Sequence, residues 1–204
     1  MEYLVTMTTH VPGGTSAEAV EEVRSKEAVR SRELASEGII LRLWRPPLQP
    51  GEWRTLGLFA ADGTDELERA LNSMPLHVWR TDEVTPLAPH ANDPGPEHGH
   101  TDRGSEYLVT FQVSIPAGTS AKEENDAEAQ EAQRARELAE QGDLVRLWKL
   151  GEGTTLGLWQ ADGPSQLDRL LHVLPLSLKG WMTFTATPLT RHPNDPAARG
   201  GQHG

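Results

Sequence analysis

The chain has 204 residues, no cysteine and a formal net charge of -11 at pH 7. That balance opposes a nucleic-acid or anionic-membrane partner, since both need a basic footprint, and the missing thiols exclude disulfides, thiolate catalysis and cysteine-bound metal. No apolar stretch has the length of a membrane span and the first residues enter a strand with no basic, apolar leader, so a cytoplasmic protein is expected.

Tyr3 to Thr9 alternates large apolar with smaller or polar residues, the pattern of a half-buried strand, and Pro12-Gly13-Gly14 closes it. Thr15-x-x-Glu18 reads as a capping box for a helix that runs to about Glu37 and ends at Gly38. A strand from Ile39 to Arg45, a turn, and a strand from Trp53 to Ala60 follow. Leu67, Leu71 and Met74 then mark a shorter helix, which Pro75 stops, and a last strand runs from Trp79 to Leu87.

The same order returns in the second half of the chain. Glu2-Tyr3-Leu4-Val5-Thr6 recurs as Glu106-Tyr107-Leu108-Val109-Thr110, Arg42-Leu43-Trp44 as Arg146-Leu147-Trp148, and Thr55-Leu56-Gly57-Leu58 as Thr155-Leu156-Gly157-Leu158. His90-x-Asn92-Asp93-Pro94 recurs as His192-x-Asn194-Asp195-Pro196. Ser120-x-x-Glu123 and Gly142 bound the second long helix, while Leu150-Gly151-Glu152-Gly153 shortens the turn that Pro46 to Trp53 forms in the first copy. So long a period indicates a duplicated domain and not a solenoid. The expected organisation is repeat 1 over 1–88, a Pro-, Gly- and His-rich linker over 89–104, repeat 2 over 105–192 and a flexible tail over 193–204. Each copy reads βαββαβ, a ferredoxin-like α+β layer whose open sheet face requires a cover. Two such copies face to face give a pseudo-dimeric α+β barrel.

At 100° per residue, Val20, Val23, Ser31 and Leu34 fall in one arc of the first helix with Glu27 at its centre. The corresponding arc of the second helix holds Glu131 among Glu124, Ala127, Ala135 and Leu138. A carboxyl on a buried face has its pKa raised toward neutrality, which suits a general acid/base. The alternative is a partly exposed Glu at the border of the stripe, paired with Arg24 or Arg30. On the strand after this helix, alternation puts Arg42 with Trp44, and Arg146 with Trp148, on shared faces, where a guanidinium beside an aromatic suits a planar anionic substrate or an Arg stacked at a contact. Most histidines fall in the linker or tail without metal-ligand spacing, so no metal is expected.

The opening strand, the long helix bearing Glu27, Gly38 followed by Leu43-Trp44-Arg45, and Met74-Pro75-Leu76 together resemble the muconolactone delta-isomerase family. The second copy matches with Gly142, Leu147-Trp148-Lys149 and Leu174-Pro175-Leu176. The resemblance implies an α+β barrel, homo-oligomers, and a cofactor-free proton shift in an unsaturated lactone during aromatic catabolism. It aligns the family's helix Glu with Glu27 and Glu131. Trp53 and Thr55, and Thr155 in copy two, stand where the family has a Tyr-Ala-Asn run, and Lys149 replaces an Arg. The expected site is therefore Glu27 and Glu131 as proton carriers, with Arg42, Trp44, Arg45, Trp53, Thr55, Arg146, Trp148, Lys149 and Thr155 around a small anionic substrate. A cofactor-free cyclase or oxygenase, and a non-catalytic small-molecule binder or assembly component, are the alternative functions.

Overall fold

The computed structural model describes residues 1–96, 104–151 and 153–197. The chain forms two compact units: Met1–Leu87 with Thr190–Gly204, and Ala88–Leu189. The first contains β1 (Glu2–Thr9), α1 (Ala17–Ser36), β2 (Ile40–Arg45), β3 (Arg54–Ala60), α2 (Thr64–Ser73), a 3-10 turn (Pro75–Trp79) and most of β4 (Arg80–Pro89). The second contains β5 (Ser105–Val113), α3 (Ala121–Gln141), β6 (Leu144–Gly151), β7 (Thr154–Ala161), α4 (Pro164–His172), α5 (Pro175–Leu178) and most of β8 (Met182–Arg191).

In the first unit β1 lies between β4 and β3, and β2 pairs the far side of β3, all antiparallel. Thr190 and Arg191, the end of β8, add to the outer edge of β2. The second unit repeats this order, and Ala88 and Pro89 at the end of β4 add to β6. Each unit is thus the ferredoxin-like sheet expected from its βαββαβ order, and the fold is an α+β barrel built from two such repeats.

Strict alternation in β1 buries Tyr3, Val5, Met7 and Thr9 on one face. Leu34 of α1 and Leu67 and Leu71 of α2 pack on that face with Ile40, Leu43 and Phe59. Each such fully buried Leu or Phe contributes about 1.5–3 kcal/mol relative to exposure. Val5 pairs with Gly57, where an added Cβ would collide with the Phe59 ring and come within 3.0 Å of Met7. Only glycine lets that ring lie flat across the strand, which explains the repeated Thr-Leu-Gly-Leu motif, Gly157 lying similarly close under Trp159.

The first helix starts one residue later than the capping box implied. Ser16 accepts from the Ala19 amide, while the Thr15 hydroxyl donates to the Pro12 carbonyl and closes the preceding turn. Ser120 caps α3 as expected.

Candidate functional site

A cavity of about 250 Å³ lies in the first unit between α1 and the sheet. Glu27 reaches its wall because α1 places it one turn before Ser31 and two before Leu34, all three buried. It is 8% exposed. One carboxylate oxygen accepts from the Leu76 amide at 2.8 Å, and the other accepts from Arg80 at 3.3 Å. That amide points at the carboxylate because Pro75 opens the short turn after α2. Arg80 is held rigidly, donating twice to Asp82 at 2.6 and 3.0 Å and once to the Leu71 carbonyl at 3.1 Å.

Burial raises the Glu27 pKa above the usual carboxyl value, and the Leu76 amide and the Arg80 charge offset this only in part. Burial wins because Arg80 is shared with Asp82, whose own charge pushes Glu27 up. Arg24 and Arg30, the partners considered from the sequence, pair instead with Glu21 and with Glu33 and Glu37.

Arg45, Trp53 and Thr55 line the same cavity as Glu27. Arg45 is exposed and makes no ion pair among the described residues. Arg24 stacks over Trp53 at 5.6 Å, also at the cavity. Arg42 and Trp44 do not reach it, which corrects the placement drawn from strand alternation. A register shift between Ile40 and Arg42 puts Ile40 and Leu43 on the helix-covered face and turns Arg42 and Trp44 to the other. There Arg42 lies 4.9 Å over the Trp44 ring and donates to Asp195 through two nitrogens, each at 3.1 Å. Asp195, fully buried, also accepts from the Leu43 amide at 3.0 Å.

Arg80, His192 and Asn194 were not expected at the cavity. Arg80 left no signal in the sequence, since its counterpart in repeat 2 is Met182. His192 and Asn194 did leave one, the His-x-Asn-Asp-Pro motif written twice and assigned to linker and tail. The Asn194 amide donates to His192 Nδ1 at 3.1 Å, and the His192 amide donates to the Leu43 carbonyl at 3.0 Å. Burial and the Arg45 charge lower the His192 pKa to about 4 against the pull of Asp195. The histidines at 98, 100 and 203 lie outside the described residues.

The second unit keeps the frame and loses the polarity. Glu131 accepts from the Leu176 amide at 3.0 Å, and Asp93 takes Arg146 and the Leu147 amide as Asp195 takes Arg42 and Leu43. Its cavity is only about 70 Å³, and among the described residues no arginine or lysine lines it. Thr155 lines that cavity; Arg146, Trp148 and Lys149 do not, and Arg146 stacks on Trp148 at 4.9 Å. Phe111, Trp159 and Phe184 cluster where repeat 1 has Met7, Phe59 and Asp82. Burial raises the Glu131 pKa, opposed only by the Leu176 amide.

The fold defines the class first. Over nearly the whole chain it is similar to a heme-binding protein from Thermus thermophilus, at 14% identity with 95% of this chain and 93% of that one covered, TM-score 0.60. It is likewise similar to a chlorite dismutase from Candidatus Nitrospira defluvii, at 10% identity with 93% and 91% covered, TM-score 0.57. These likenesses show the shared fold. The family is narrower: the muconolactone delta-isomerase family model matches residues 1–93 and again 105–195, and the chain belongs to that family. Muconolactone Delta-isomerase of Cupriavidus pinatubonensis is 31% identical over 90 residues, which are 44% of this chain and 95% of that enzyme. The enzyme of Rhodococcus opacus is 28% identical over 89 residues, covering 44% and 92%.

Proposed function

We propose that the repeat 1 cavity binds a small unsaturated lactone bearing a carboxylate, and that Glu27 moves a proton within it. The observation that carries this reading is a carboxyl withdrawn from water, with a raised pKa, in the wall of a cavity that also presents the Arg45 guanidinium. The cavity is just below the usual range of about 300–1,000 Å³ for drug-sized ligands, which suits a single-ring substrate. Glu27 removes a proton from the carbon activated by the carbonyl, and the electron pair delocalises through the double bond onto the carbonyl oxygen. The same carboxyl then returns the proton to a different carbon, so the double bond migrates with no net gain or loss of atoms or electrons. Arg45 holds the substrate carboxylate, and Arg80 and the Leu76 amide fix the base without neutralising it.

Glu131 has a comparable environment, but no described cation lines its cavity and there is little room, so repeat 1 carries the turnover. Incubating muconolactone in heavy water and following carbon-bound hydrogen exchange by NMR tests this. Glu27→Gln is expected to lose about 10²–10⁴-fold, the usual contribution of a positioned acid/base. Glu131→Gln retains the wild-type rate within about two-fold on the same scale. Exchange undiminished by Glu27→Gln refutes the reading.

A further inference from the structure

We propose that His192 is the hydrogen-bond donor to the substrate's carbonyl oxygen, acting as a neutral imidazole through Nε2–H. This rests on the repeat 1 reading above and adds the group that receives the charge Glu27 releases.

The tautomer follows from the partner. A backbone amide can only donate, so the 3.1 Å contact from the Asn194 N–H requires an unprotonated Nδ1, and a neutral ring then carries its hydrogen on Nε2. That nitrogen is on the far side of the ring from the turn, and it has no hydrogen-bond partner among the described residues. His192 lines the cavity together with Glu27, Arg24 and Arg45. The segment bearing it is held from both sides: the His192 amide on the Leu43 carbonyl, and Asp195, three residues on, on Arg42 and the Leu43 amide. Asp195 is the nearby acid that would otherwise favour an imidazolium, and its oxygens are taken up by those donors. Burial, with the nearby Arg45 and Arg24 charges, keeps the ring uncharged at neutral pH.

A neutral donor suits the step better than a cation. An imidazolium would pair with Glu27 and lower its basicity, whereas Nε2–H strengthens its bond only as negative charge develops on the carbonyl oxygen. The donor costs no reorganisation, because the turn has already oriented it.

The experiment combines turnover of muconolactone with ¹⁵N NMR of the imidazole. His192→Leu is expected to lower kcat about 10²–10³-fold, as removal of one such donor does, with KM within about three-fold. His192→Gln, whose amide can put an N–H near the Nε2 position, is expected to recover at least about ten-fold of that loss, while an ordering role alone would give no such recovery. The NMR spectrum should show an Nε2-protonated neutral ring at pH 7. A ring protonated on Nδ1, or cationic at that pH, overturns the inference whether or not the lactone turns over. If Glu27→Gln abolishes exchange and His192→Leu does not, the donor assignment alone fails. If neither substitution matters, the repeat 1 reading itself fails.

Discussion

Replacing Asp195 by alanine tests the load on the clamp that closes the first unit. Asp195 is fully buried and accepts four hydrogen bonds, three from two nitrogens of Arg42 and one from the Leu43 amide, at 3.0 to 3.3 Å. Its removal takes the carboxylate away from a guanidinium whose side chain is only 10% exposed, and leaves the Leu43 amide without this acceptor. Breaking a buried pair from one side costs about 3–5 kcal/mol, and an orphaned amide about 1–3 kcal/mol if the two do not overlap. Taking about 4 kcal/mol as the central value, the thermal midpoint should fall about 8–16 °C for a chain of this size. The double variant Arg42→Met, Asp195→Ala should be the milder of the two, because the cation is removed together with the carboxylate that faces it. Tryptophan fluorescence across a thermal ramp reads all three proteins, since Trp44 lies under Arg42. A loss below about 1 kcal/mol in Asp195→Ala, or a double variant less stable than the single one, would show that the pair is solvated and the reasoning wrong.

Glu131→Gln is expected to stabilise the protein at neutral pH. The folded-state pKa of Glu131 is raised, so its contribution to stability is fully present below the ordinary value near 4.5 and is lost as pH rises through the raised value. The variant and the parent should therefore melt together below that pH and separate above it, in thermal scans from acid to neutral pH. The gain in Glu27→Gln should be smaller or reversed, because Arg80 loses a partner there. Arg45→Met should leave the melting temperature unchanged, since Arg45 is exposed and unpaired among the described residues. It should raise KM for a carboxylate-bearing lactone by about ten-fold or more, the loss of one charge-assisted hydrogen bond of about 1.5–3 kcal/mol, as steady-state kinetics would read.

The sheet order was legible because each strand's alternation and each helix's stops occur twice, and two weak signals in register make a strong one. Glu27 was legible for a different reason: an acid in the middle of an apolar arc stands out against the helix period. Arg42 and Trp44 show the limit of such patterns. Alternation says which residues share a face of a strand, but the choice of face depends on phase, and the irregularity between Ile40 and Arg42 resets it. Arg80 and Asp82 were hidden by the repeat comparison itself, since Met182 and Phe184 occupy their places. The His-x-Asn-Asp motif was visible and misassigned, because a short polar segment rich in turn-forming residues reads as a spacer until its buried partners, Arg42 and Arg146, are known.

The two cavities also separate what the fold requires from what the chemistry requires. Identical subunits must carry identical sites, whereas two copies joined in one chain can diverge. Here the changes are correlated in the way electrostatics demands. Losing Arg80 alone would leave a half-buried Asp82 without its cation, and both positions are apolar in repeat 2, as Met182 and Phe184. Ser31 becomes Ala135, which removes a hydroxyl, and Phe59 becomes Trp159, a larger ring in the wall of the smaller cavity. By contrast the Arg–Asp clamp, the amide held by each aspartate and the imidazole turn are all kept twice. A feature kept at a cavity that no described cation lines is held there by the architecture. It follows that the clamp and turn serve the fold in both units, and that the chemical role proposed for the imidazole belongs to the first alone, where Glu27 and the arginines share its cavity.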